Sequence, residues 1–183
     1  MVDLLIRQLE AGDTVTGLSL GHADFEPLKR YLRQDAKKHH EQSLARTYAV
    51  FLDDAPNKIQ AYVTLVCGEI ASDPGENGNG NGLVQGEGLH YPYRQYPAVK
   101  IARLAVDRRL KERNLKIGSK LVELSIGISK DQISPSVGCR FIVVDAKRQS
   151  VGFYEKCGFT ALDTEENLAR DEPVMFIDLH KVA

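Results

Sequence analysis

Arg108, Arg109, Lys111, Arg113, Lys116 and Lys120 crowd one polar stretch that also holds a lone glycine, Gly118. Cations beside a glycine make a phosphate site when the stretch joins a strand to the start of a helix. The first-turn N–H groups of a helix have no intrahelical acceptors, and the helix dipole favours an anion there. The plainer alternative is a solvated basic surface, so the neighbouring segments carry the decision. Glu69 is a second chemical candidate, a carboxylate at the end of an apolar run. It takes an amine proton through a water, or it simply faces solvent. His39 and His40 are adjacent, fall on different helix faces, and have no carboxylate or thiol at ligand spacing, which argues against a metal site. Cys157 has apolar neighbours and no paired histidine, so it reads as a packing residue rather than a nucleophile.

The elements that must position these groups follow from periodicity. Residues 99–106 form a short run rich in strand formers, and Ile117, Leu121, Leu124 and Ile128 recur at helical spacing. Strand, basic turn and helix N-terminus therefore follow one another from 99 to 128. Before them, 2–9 reads as a strand, and 24–38 as a helix with Phe25, Leu28, Tyr31 and Leu32 on one face and Asp24 as its cap. Strands at 47–52 and 59–70 flank a turn at 53–58. The stretch 73–88 is a low-complexity Gly/Asn loop. Asn77, Asn79, Asn81 and Gly82 echo a calcium loop, but its first ligand would be Asn77 and its twelfth position Gly88, so a solvated loop is the better reading. Later come a strand at 140–145, a short helix at 150–156 closed by Gly158, and a strand at 174–179. This order predicts one mixed α/β sheet in a single domain spanning 1–183.

The 183-residue chain is 43% apolar and 27% charged, the make-up of a globular domain able to bury a sizeable core. No run has the length and apolarity of a membrane span, and the start does not read as a signal peptide. Three scattered cysteines do not make a disulfide framework, so the expected setting is a reducing cytoplasm. A net charge of −1 gives no global case for nucleic acid. The charge is uneven, however. Residues 28–48 carry Lys29, Arg30, Arg33, Lys37, Lys38 and Arg46, and 163–172 carry Asp163, Glu165, Glu166, Asp171 and Glu172. The first cluster suits an RNA backbone or a solvated helix face.

Arg103-Leu104-Ala105-Val106-Asp107, the turn ending Ile117-Gly118-Ser119-Lys120-Leu121, and Phe153-Tyr154-Glu155-Lys156-Cys157-Gly158-Phe159 together resemble the GNAT acetyltransferase superfamily. Within it the chain is most similar to the bacterial toxin-type branch, whose members acetylate aminoacyl-tRNA. The resemblance implies a mixed, mostly antiparallel sheet flanked by helices, and acetyl-CoA as cosubstrate. It implies that the backbone of Leu104, Ala105 and Val106 pairs with the pantetheine arm. It implies that the turn N–H groups of Arg113, Asn114, Leu115, Lys116, Ile117, Gly118 and Ser119 hold the pyrophosphate. It makes Tyr154 the acid that protonates the departing sulfur. The partners it implies are an amine acceptor, with tRNA, a second copy of the chain and an antitoxin as further candidates, and no membrane. Lys116 stands where the family pattern has glycine, and the turn is longer than usual. Lys116 therefore either neutralises a phosphate or obstructs it, because glycine allows close approach and φ > 0.

The expected reaction is direct acetyl transfer to a primary amine without a covalent enzyme intermediate. Tyr154 stays protonated at neutral pH, since a phenol titrates near ~10. Its plain alternative is a core tyrosine between Phe153 and Phe159. The base is Glu69, or none at all if the acceptor is an α-amine with a pKa of ~7.7–8.0. Small-molecule or protein amines are competing acceptors, and a non-catalytic acyl-CoA-binding module is the reading from another class.

Overall fold

The computed structural model describes residues 4–71 and 95–182. The 73–88 loop and its calcium-like residues lie outside the described residues. Among the described residues there are seven strands: β1 (Leu4–Gln8), β2 (Arg46–Leu52), β3 (Ala61–Ala71), β4 (Gln95–Val106), β5 (Phe141–Asp145), β6 (Thr160–Ala161) and β7 (Val174–Asp178). They form one sheet in the order β1-β2-β3-β4-β5-β7-β6. The pairings β1–β2, β2–β3, β5–β7 and β6–β7 are antiparallel, and β4–β5 is parallel. The expected α/β class with a mixed, mostly antiparallel sheet is therefore the observed one. The chain divides into two compact units, Met1–Val66 with Ile101–Ser125, and Cys67–Lys100 with Ile126–Ala183.

In the first unit β1 and β2 pair from Leu4↔Leu52 to Gln8↔Tyr48, and β2 and β3 from Arg46↔Leu65 to Val50↔Ala61. The β2 and β3 segments are nearly continuous apolar runs, and Ala49, Val50, Phe51, Ala61, Tyr62 and Val63 are all fully buried. The predicted 24–38 helix is two helices, α1 (Glu26–Gln34) and α2 (Ala36–Glu41), broken where Asp35 leaves helical backbone (φ −120°, ψ −31°). Asp24 does not cap α1. It lies in a preceding turn, where its N–H donates to His22 Nδ1 at 3.2 Å. Pro27 occupies the first turn of α1, where its missing N–H costs nothing. Tyr31, Leu32 and Ala36 pack against Ala49, Phe51 and Tyr62, so the predicted apolar face of 24–38 is the buried one despite the break.

In the second unit β5 is buried throughout 141–144 and pairs with β7 from Phe141↔Asp178 to Asp145↔Val174. Phe141 anchors its core, edge-on to Tyr96 at 5.7 Å and to Phe176 at 5.9 Å. Two elements here escaped the sequence reading, the two-residue β6 and α7 (Glu165–Ala169). Thr164 caps α7, accepting the Asn167 N–H at 3.1 Å. The buried Asn167 side chain then donates to Leu162 O and Val174 O and accepts the Val174 N–H, at 3.0, 3.0 and 2.8 Å.

Candidate active site

The basic turn is more ordered than its sequence suggests. β4 ends at Val106, and Asp107 then caps a one-turn helix, α3 (Arg108–Glu112), inside the stretch expected to be irregular. The extra length of this turn is therefore helical. The Asp107 side chain is buried and accepts the N–H of Arg109 at 2.9 Å, the N–H of Ser19 at 2.9 Å, and the Arg109 guanidinium at 2.8 Å on each oxygen. Burial opposes its charge, but the Arg109 side chain and the two backbone N–H groups prevail, and they hold the carboxyl at about 2. Asp107 had no role in the sequence reading. Its signal was an Asp directly before a run of helix-compatible residues, the N-cap pattern.

After α3 the chain passes through two left-handed residues, Asn114 (φ 52°) and Lys116 (φ 51°), and enters α4 (Ile117–Gly127). Lys116 thus adopts with a side chain the conformation that a glycine would take freely. The first backward bond at the start of α4 is Lys120 N–H to Lys116 O at 3.1 Å, so the N–H groups of Ile117 and Gly118 precede the ladder. Two of the six basic side chains are occupied, Arg109 by Asp107 and Arg108 by Glu112 at 3.5 Å, and the Lys111 ammonium lies over the Phe25 ring at 5.5 Å. Arg113, Lys116 and Lys120 are exposed and pair with no carboxylate among the described residues. Beyond Gly127 the helix runs on through π-helical turns (Ile128–Ile133) into α5 (Ser134–Val137), longer than its Ile117–Ile128 spacing indicated.

Leu104, Ala105 and Val106 close β4, with Leu104 half-buried and the other two buried. The parallel pairing of β4 with β5 covers Ala98, Val99 and Lys100 and stops there. All of the residues from Leu104 to Ser119 belong to the first unit, so the structure collects this whole set in one chain segment.

Tyr154 and Glu69 belong to the second unit, on different elements. Tyr154 sits on α6 (Val151–Lys156), 7% exposed, edge-on to Phe153 at 5.0 Å and to Phe159 at 5.4 Å. Gly158 fixes the end of this helix at φ +93°, with its N–H on Glu155 O at 2.9 Å and the Phe159 N–H on Tyr154 O at 3.0 Å. That bond pair is a Schellman cap, which needs a left-handed residue at Gly158. Burial, with a smaller contribution from Cys157, pushes the Tyr154 phenol well above its usual value, so it holds its proton throughout the physiological range. Glu69 is exposed on β3, one residue past Gly68. A Cβ at Gly68 would lie 3.1 Å from Lys100 Cβ, so the glycine lets the two strands close up here. Lys100 Nζ in turn meets Asp145 at 2.5 Å.

Other predicted features sort as follows. The basic cluster at 28–48 is largely spent within the protein. Glu26 takes Lys29 at 2.6 Å and Arg33 at 3.5 Å, Lys37 donates to Ala11 O and Asp13 O, and Arg46 donates to His40 O and Ser43 Oγ. His40 Nδ1 accepts the Thr47 N–H at 3.3 Å, and no group of metal-binding side chains occurs among the described residues. Cys139 is buried, Cys67 exposed, and Cys157 half-buried rather than fully packed; none of the three forms a disulfide. No helix among the described residues is long and apolar enough to cross a membrane.

The chain belongs to the acetyltransferase (GNAT) family, whose pattern it matches over residues 20–159. Solved structures similar to it include AtaT complexed with acetyl-methionyl-tRNAfMet, at TM-score 0.75 and 22% identity, covering 97% of this chain and 96% of that one. A tyrosine-to-phenylalanine mutant of KacT matches at TM-score 0.76 and 22% identity over 97% and 95% of the two chains. AtaTR bound with AcCoA matches at 0.74 and 23% over 97% and 95%. At such identities the likeness is one of fold. No curated protein matches the sequence.

Proposed function

We propose that this N-acetyltransferase moves an acetyl group from acetyl-CoA directly to a primary amine, with the α-amine of aminoacyl-tRNA as the first acceptor to test. The observation that carries the cosubstrate is the Asn114–Ser119 segment. Two left-handed residues bring an open helix N-terminus and three exposed, carboxylate-free cations, Arg113, Lys116 and Lys120, to one place. The diphosphate of acetyl-CoA fits that donor set. The β4 backbone at Leu104, Ala105 and Val106, past the end of its pairing with β5, is the segment to receive the pantetheine arm in the manner of an added strand. Bound acetyl-CoA supplies an activated acyl group as a thioester.

The remaining work falls to the chain. Positioning amine and acyl donor together removes much of the barrier. The Tyr154 hydroxyl gives its proton to the sulfur. Burial makes this phenol a weaker acid than an ordinary thiol of pKa ~8.5, so it gives the proton only as the C–S bond breaks and charge appears on sulfur. Glu69 takes the amine proton through water, and an α-amine places little demand on it. The AtaT neighbour is complexed with acetyl-methionyl-tRNAfMet and the AtaTR neighbour is bound with AcCoA, which supports this acceptor and this cosubstrate. A neighbour bound to an antitoxin's C-terminus likewise supports an antitoxin as a partner. A small-molecule or protein amine is the second reading, favoured by the self-paired 28–48 cluster and the net charge of −1.

Calorimetric titration with acetyl-CoA, paired with acetyl transfer by Tyr154→Phe, tests the proposal. The expected result is acetyl-CoA binding by both proteins, and a kcat lower by about 10²–10⁴-fold in the variant, the usual contribution of a positioned acid. A folded wild-type chain that binds no acetyl-CoA overturns the enzyme reading. Binding without turnover on any amine leaves a non-catalytic acyl-CoA module.

A further inference from the structure

Three described arginines are half-buried: Arg7, Arg103 and Arg140. Two of them pair with an aspartate: Arg7 donates to both oxygens of Asp13 at 2.7 and 2.9 Å, and Arg140 donates Nη2 to Asp178 at 2.8 Å, with its Nε 2.7 Å from the other oxygen. That is the expected arrangement, because a permanent charge withdrawn from water needs an opposite charge and acceptors for its N–H groups. Arg103 breaks the rule. Its guanidinium lies over the Tyr31 ring, 3.8 Å from the centroid, and no carboxylate or carbonyl among the described residues accepts from it. Stacking satisfies the face of the guanidinium and leaves the N–H edge, with its five donors, open to solvent and without a protein partner among the described residues.

The surroundings deepen the deficit. Tyr31 is 4% exposed, and its buried hydroxyl also has no partner. Tyr62, fully buried beside it, spends its own hydrogen on Leu28 O at 2.7 Å. The His39 ring also neighbours Tyr31, with ring centroids 5.5 Å apart. Arg103 is close enough to Tyr62 for its charge to oppose the burial that pushes the Tyr62 phenol up. This corner of the first unit therefore sets the unpaired N–H edge of Arg103 and the unpartnered Tyr31 hydroxyl on one patch. It lies one residue before Leu104, on the strand face it shares with Ala105.

We infer that Arg103, held flat on Tyr31 beside Tyr62, is an acceptor-binding residue that receives an oxyanion of the amine substrate. The inference rests on the acetyl-transfer reading above and narrows it to acceptors that carry an anionic group near the amine. A planar fork suits a phosphate of an aminoacyl-tRNA or the carboxylate of a free amino acid, and it gives nothing to a neutral amide.

The test measures acetyl transfer at saturating acetyl-CoA by wild type, Arg103→Ala and Arg103→Lys. The acceptors are an aminoacyl-tRNA, the same free amino acid and its amide. For Arg103→Ala the KM for an oxyanion-bearing acceptor should rise at least tenfold. Its KM for acetyl-CoA and its KM for the amide should stay within twofold of wild type, and the lysine variant should recover part of the loss. A rise confined to aminoacyl-tRNA assigns the oxyanion to phosphate, and one confined to the free amino acid assigns it to carboxylate. Equal losses on charged and neutral acceptors, a raised KM for acetyl-CoA, or no change on any acceptor overturns the inference. Calorimetric binding of the three acceptors reads the same contrast without turnover, so failure of the enzyme reading and failure of Arg103 are separable. Arg103→Gln keeps the stem lying on Tyr31 and stands in if the alanine variant does not fold.

Discussion

Asp107→Asn isolates the charge at the hinge between strand and cradle. The wild-type carboxyl sits at about 2 against an ordinary 3.8, a difference worth roughly 2 kcal/mol of folding stability at neutral pH. Asparagine keeps the cap oxygen for the Arg109 N–H, so that loss of charge is most of the cost. Asp107→Ala also removes the cap, about 1 kcal/mol more, for about 3 in all. The sign fixes the pH dependence. Because the folded-state pKa is depressed, the unfolded chain takes up the proton first as pH falls. The contribution is complete above the unfolded value and disappears between about 4 and 2. Urea unfolding of wild type and Asp107→Asn should therefore give a constant gap from pH 8 to 5, and one that narrows steadily below pH 4. A gap under about 0.5 kcal/mol at pH 7, or one that persists unchanged at pH 3, refutes the assignment of the stability to the ionised carboxylate.

Two further substitutions bear on the rest of the fold and the cradle. Asn167→Ala removes three hydrogen bonds and leaves the Val174 N–H without its acceptor, while the Leu162 and Val174 carbonyls keep their backbone donors; this should cost about 2–3 kcal/mol in urea unfolding and leave acetyl-CoA affinity unchanged. Lys116→Gly relieves a left-handed side-chain residue but frees the unfolded chain, so its stability should lie between wild type and about 1 kcal/mol above it. The same variant should bind acetyl-CoA about threefold to tenfold more weakly at low salt, with the gap closing as salt rises. Tighter binding by calorimetry would instead mean that the lysine obstructs the phosphates.

What could be read from the sequence was what hydrophobic period encodes. β2, β3, β4, β5 and β7 announce themselves as apolar runs, and α6 by its aromatic pair and Gly158. The misses share a cause. α3 has one buried residue, Leu110, and its stability comes from a carboxylate that precedes it. α7 buries an asparagine and exposes Leu168, the reverse of what a period search scores. The break at Asp35 and the π-helical run after Gly127 shift the phase of otherwise good helical patterns, so their ends were misplaced while their buried faces were not. The sequence put forward the strand end, the turn, Tyr154 and Glu69 as site candidates. It did not single out Asp107 or Arg103, because burial and partners are what distinguish those two.

A whole-chain charge of −1 says little about where an anion would settle, because most of the charge is already answered inside the protein. In 28–48, one of the two basic stretches of the sequence, Lys29, Arg33, Lys37 and Arg46 all have protein partners. In 103–120 the balance reverses. Asp107 and Glu112 take Arg109 and Arg108, and Arg103, Arg113, Lys116 and Lys120 pair with no carboxylate among the described residues. The field an incoming phosphate meets is set by these unanswered charges, acting where an open helix N-terminus adds its own partial charge. A near-neutral chain can therefore attract a strongly anionic cosubstrate with only a few cations. Counting charges along the sequence cannot choose between the two stretches, since a count does not separate a lysine bound to a carbonyl from one facing solvent.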